Sequence, residues 1–156
     1  MTYCWFDEPE PGDRSSWVLP PGHGTYQGLD LDLLDPQDED ERALLIEALH
    51  PQFADALQGD SDVILDGESV NPRLHLAMHQ VVSNQLLADE PPETWQTVQR
   101  LAGIGYDWHT IMHMIASLVT EDIYRVLSEQ LQPDPAAYAR RLSWLPGDWP
   151  PPQAGR

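Results

Sequence analysis

Lysine is absent from this chain, cysteine occurs once, and no apolar run approaches the length that spans a bilayer. Each absence excludes something. All 8 cationic side chains are arginines set against 26 acids, a formal net charge of −18. A field of that sign repels phosphate backbones and anionic lipid, so neither nucleic acid nor membrane is an expected partner. A cationic protein partner, a homodimer or a metal cation remain compatible with it. A single cysteine, Cys4, cannot build an intramolecular disulfide framework, which points to a reducing compartment. The opening MTYCWFDEPEPGD has neither a positive n-region nor an apolar h-region, so the expectation is a soluble cytoplasmic protein.

What is present fits one domain, since 156 residues can bury a real core but scarcely two. Residues 1–28, rich in Pro, Gly and acid, read as an irregular arm. Its aromatics Tyr3, Trp5, Phe6 and Trp17 suggest that parts of it lie against the domain. Residues 29–145 read as a single helical domain and residues 146–156 as a proline-rich tail. Within the domain, acids at 38–41 open a helix carrying Leu44, Leu45, Ala48 and Leu49, and Pro51 starts a second short one through Phe53. Val63–Leu65 is a brief extended run, too short to make a sheet alone. Asn71 and Pro72 begin a helix to about Ala88, Pro92 opens another closed by Gly103 and Gly105, and Asp107 caps a third to about Leu131. DPAAYARRLSWL forms a last short helix. The predicted fold is all-α: a small bundle with a central up-down-up unit of three helices, preceded by a helical hairpin and flanked by irregular arms.

Two helix beginnings carry the chemistry. NPRLHLAMHQ holds His75 and His79, and YDWHTIMHMI holds His109 and His113. Residues four apart share one helix face, so each pair can grip one cation. In an up-down-up unit the first and third helices start at the same end, which places both pairs together. Counted from their caps the pairs differ by two residues, or roughly 3 Å of rise. Val82 and Leu86 continue one stripe, Ala116 and Thr120 the other, so both pairs face inward or toward the seam. An all-nitrogen shell suits zinc, iron, copper or nickel, with zinc or iron first. Asp107 stands at the level of the pairs as a supporting or capping group. The competing reading is a wet seam of structural histidines.

Neither pair has the glutamate of a zinc protease, because Leu76 and Thr110 occupy that place. Di-iron Glu-x-x-His pairs are also missing at both. The expected function is metal binding in a structural, sensor or carrier role. The alternatives are a metal-dependent oxidase or hydrolase with an open coordination position, and an acidic interaction module without metal. His50, ahead of Pro51, reads as a C-terminal capping or surface group, and His23 between glycines as a turn residue. Trp95, Trp108, Trp144 and Trp149 read as core or seam aromatics, and none of these six receives a function.

The segments LLDPQDEDERALLIEALHP, NPRLHLAMHQVVSNQLLADEPPETWQTVQRL and GYDWHTIMHM resemble a bacterial family, domain of unknown function 1841, in its actinobacterial form, over about residues 29–131. The resemblance implies a shared helical domain in which the positions of His75, His79, His109 and His113 are typical. It also implies an acid where this chain has Gln80 and Thr110, a departure that weighs against hydrolysis. It names no substrate.

Overall fold

The computed structural model describes residues 4–59, 61–65 and 67–152. Tyr3 and the side chain of Cys4 lie outside the described residues. Helices dominate, but the all-α expectation needs correcting, because two small antiparallel sheets accompany them. Strands β1 (Cys4–Phe6), β2 (Gly22–Tyr26) and β3 (Leu29–Asp30) form one, with helix α1 (Arg14–Val18) between the first two. Gln27 and Gly28 join β2 to β3, both at positive φ (49° and 82°), the backbone of a two-residue turn whose twist matches the strands it joins. Gly22 is required by contact: a Cβ there would sit 2.9 Å from the Phe6 ring and 3.0 Å from Leu45. The second sheet pairs β4 (Val63–Leu65) with β5 (Glu68–Val70), and Gly67, just before β5, sits at φ 83°. Strand β5 supplies the partner that the Val63–Leu65 run lacks alone.

The supposed arm is therefore structural from Cys4 onward. Trp17, Val18, Leu19, Tyr26 and Leu31 are buried in the main core. The Trp108 indole donates to the Trp17 carbonyl (2.9 Å) and Ser83 Oγ to the Val18 carbonyl (2.6 Å), so the segment is fastened to two of the long helices. In the C-terminal tail, Tyr106 Oη donates to the Pro150 carbonyl (2.9 Å).

The helical expectations hold closely. Asp38 caps α2 (Glu39–Ala48), Asn71 caps α3 (Pro72–Ala88), and Asp107 caps α5 (Trp108–Glu129), each accepting from a backbone N–H three residues on. Helix α4 (Pro92–Ile104) opens on its proline and ends on Gly105 at φ 118°, and α6 (Pro135–Trp144) follows α5. Pro51 opens a single 3-10 turn, Pro51–Phe53, which buries Phe53 completely. Val82, Leu86, Val98, Leu101, Ile111 and Ile115 are fully buried where α3, α4 and α5 meet. Leu44, Trp144 and Trp149 depart from the expected core, being 37%, 73% and 37% exposed. No described helix is long and apolar enough to cross a membrane.

Arg42 takes the core position on α2 that periodicity would give to an aliphatic residue, and its accessibility is 0%. Its guanidinium donates to Gln80 Oε1 (2.6 Å), to Asn84 Oδ1 and to the carbonyls of Pro36 (3.1 Å) and Gln37 (3.4 Å). Gln80 in turn donates to the Glu39 carbonyl (2.8 Å). One of the two departures from the expected acids thus bears on Arg42, where an acid would be a charge partner. Truncation to alanine would leave these acceptors dry and open a cavity. Arg42→Ala is expected to cost about 3–5 kcal/mol, read as a fall in the urea midpoint at constant slope; a loss below about 1 kcal/mol would show that water replaces the guanidinium freely.

Candidate metal centre

Both histidine pairs arrive where helix periodicity sends them. On α3 the rings of His75 and His79 are 5.1 Å apart, and on α5 those of His109 and His113 are 4.3 Å apart. Across the seam His75 lies 4.9 Å from His113, and His79 lies 5.2 Å from His109 and 4.9 Å from His113. Caps fixed by Asn71 and Asp107 set the starting points of the two helices. The common end predicted for the pairs is present.

A fifth imidazole completes the cluster. His50 follows α2, and Pro51 behind it disfavours continuation of the helix, so the chain turns there and brings the ring inward. It is fully buried, correcting the surface reading, and it stacks parallel to Phe53 at 5.5 Å. The capping reading survives in one contact, Nδ1 to the Ile46 carbonyl at 2.8 Å. A carbonyl can only accept, so Nδ1 carries the proton and the lone pair of neutral His50 resides on Nε2. That lone pair faces His75 Nε2 at 3.2 Å and His109 Nε2 at 3.1 Å. The ring is also 4.6 Å from that of His79.

The compact donor set therefore differs from the expected one. One nitrogen from each of His50, His79, His109 and His113 lies within 4.8 Å of all the others, and these four could hold a metal ion. Ligands around a tetrahedral zinc stand about 3.4 Å apart for bonds near 2.0–2.1 Å, closer than the 4.8 Å that bounds the spread of these four nitrogens. His75 is outside this set and touches it through His50. Asp107 serves as the α5 cap, accepting from Thr110 N (2.8 Å), and the compact set contains no carboxylate.

The Nε2 atoms of His79 and His113 are buried without a hydrogen-bond partner. Buried polar atoms seldom remain so unless something else satisfies them. Burial also controls the proton. Desolvation, reinforced by the neighbouring imidazoles, pushes His75 and His109 down to about 4 and His113 to about 3. His50 and His79 are pushed down by the same desolvation. Five neutral rings at pH 7 present lone pairs rather than charge, which is the state a cation requires. Trp108 closes one side, its ring 6.3 Å from that of His79.

His23 stands apart from the cluster. It bridges Asp32 (2.6 Å) and Asp7 (2.8 Å) and rests on Trp5, and hydrogen bonding to Asp32 and then Asp7 raises its pKa. Sequence reasoning missed His50 because it lies 25 residues before His75, with no helical spacing to link them. The only local signal was a histidine ending a helix before a proline.

Compared with known proteins, the family model described as Domain of unknown function (DUF1841) matches residues 33–143, extending beyond the expected span to include most of α6. No curated protein matches the chain. No solved structure matches it.

Proposed function

We propose that this chain, which belongs to the family Domain of unknown function (DUF1841), is a cytoplasmic protein that binds one transition-metal cation through His50, His79, His109 and His113. The observation that carries the reading is the pair of buried, unpartnered Nε2 atoms on His79 and His113, beside a His50 whose tautomer leaves its lone pair on Nε2, inside the cluster and 3.1 Å from His109 Nε2. A cation there joins the end of α2 to α3 and α5, elements otherwise held by apolar contacts and Arg42. Occupancy would stabilise the folded chain in proportion to the logarithm of free metal, which suits a structural or sensing role. Neutral imidazole donors favour zinc first and iron second. Hydrolysis is the weaker reading, because the compact set offers no carboxylate base and Thr110 occupies the position of a protease glutamate.

Elemental analysis of protein purified without an affinity tag, stripped with chelator and dialysed against zinc, is expected to return about one equivalent per chain and a higher melting temperature. Protein that retains no zinc or iron after dialysis, with an unmoved melting temperature, would overturn the reading.

A further inference from the structure

His75 is the fifth imidazole of the cluster and stands outside the compact set of four. It occupies the first turn of α3, half-buried beside the exposed Leu74, whereas His79 one turn deeper is buried. Its ring packs edge-on against Phe53 at 5.3 Å. It lies 4.8 Å from the ring of His50, 5.1 Å from that of His79 and 4.9 Å from that of His113. Three of the four candidate ligands therefore share a half-buried neighbour of their own chemical kind.

The nitrogen atoms define the relation. His75 Nε2 is 3.2 Å from His50 Nε2, no farther than two ligands of one tetrahedral zinc stand from each other, about 3.4 Å. His50 Nε2 also meets His109 Nε2 at 3.1 Å, and with Nδ1 committed to the Ile46 carbonyl it has one lone pair for two neighbours. Once that lone pair is given to a cation, neither neighbour can donate to it. His109 belongs to the set and turns its own lone pair to the same cation. His75 is left with a nitrogen at ligand spacing from a bound ligand and no place in a shell of four. That is the position of an entering ligand, and zinc accommodates a fifth donor in passing.

Resting on the metal reading above, we propose that His75 is the exchange ligand of this site, bonding to the cation as the His50 bond breaks and so loading and releasing the metal. The proton of neutral His75 sits on Nδ1 during the step, Nε2 supplies the electron pair, and the pair returned to His50 stays on its Nε2, so no proton moves. Of a structural and a sensing role, a cation exchanged in this way suits the second. A route that lowers one barrier serves both directions, so His75 sets rates and leaves affinity nearly alone. Stopped-flow tryptophan fluorescence follows zinc uptake by the metal-free full chain, and transfer to excess EDTA follows release. In His75→Ala both rates should fall by about tenfold, with zinc affinity within about threefold of the unsubstituted chain. Added imidazole should restore both rates in this variant and leave the unsubstituted chain unaffected. His75→Gln, which keeps the volume at the start of α3, should be slowed alike and serves where alanine disturbs the helix. Unchanged rates, or rates that imidazole does not restore, would overturn the assignment. An affinity change beyond about threefold would overturn it by making His75 an ordinary ligand. These outcomes leave the metal reading intact, whereas an unsubstituted chain that takes up no zinc would overturn both.

Discussion

His50→Ala is expected to lower metal affinity on the order of a hundredfold or more, whereas His75→Ala lowers it far less. The ordering follows from position rather than residue type. His50 belongs to the compact set and is pinned by the Ile46 carbonyl, so its lone pair is directed before any cation arrives. His75 is outside that set, and its one hydrogen-bond-distance contact with it is to His50 Nε2, 3.2 Å away. Competition with a chromophoric chelator ranks the variants, and circular dichroism checks that helical content survives. Affinity unchanged in His50→Ala, or a greater loss in His75→Ala, would return the site to the two helical pairs alone. Loss of helix in His50→Ala would instead assign the residue to folding, and His113→Ala then tests the set from the opposite helix.

The second large effect is acid lability of the metal-free protein. In the unfolded chain these imidazoles titrate near 6.5; folded, His75 and His109 titrate near 4 and His113 near 3, all through desolvation first. Between those limits the unfolded chain binds more protons than the folded one, so stability falls as pH falls. Above 6.5 both states are neutral and this contribution is flat. Each histidine charged only when unfolded contributes a slope of about 1.4 kcal/mol per pH unit, and three approach about 4 kcal/mol per unit near pH 5, less whatever solvent at the rim of the cluster screens. Against a typical total of about 5–15 kcal/mol that suffices to unfold the protein before most carboxylates protonate. His23 acts oppositely: its pKa is raised, so its stabilisation is complete below 6.5 and fades as pH rises through the higher folded value. Urea midpoints between pH 7 and 4.5 test the slope, and midpoints that stay level would show the five rings to be hydrated. Zinc should move the acid transition to lower pH, because cation and proton compete for the same lone pairs.

Much of this was readable from the chain by itself. Local chemistry determined the long helices: Asn71, Pro72, Pro92, Gly105 and Asp107 act on backbone groups a few residues away, and their effects need no distant partner. Four-residue spacing likewise determined that His75 pairs with His79 and His109 with His113, and the order of helices brought the pairs to one end. Tertiary structure decided the rest. The segment before Tyr26 owes its order to distant partners, Ser83, Trp108 and the core that receives Trp17, and no local periodicity announces these. Arg42 is in the core because Gln80 and Asn84, on another helix, accept hydrogen bonds from its guanidinium. His50 joined the cluster for the same reason: a turn at Pro51 and a carbonyl at Ile46 aim one ring at residues 25 and 59 positions away, and a contact at that range leaves no spacing in the sequence to read.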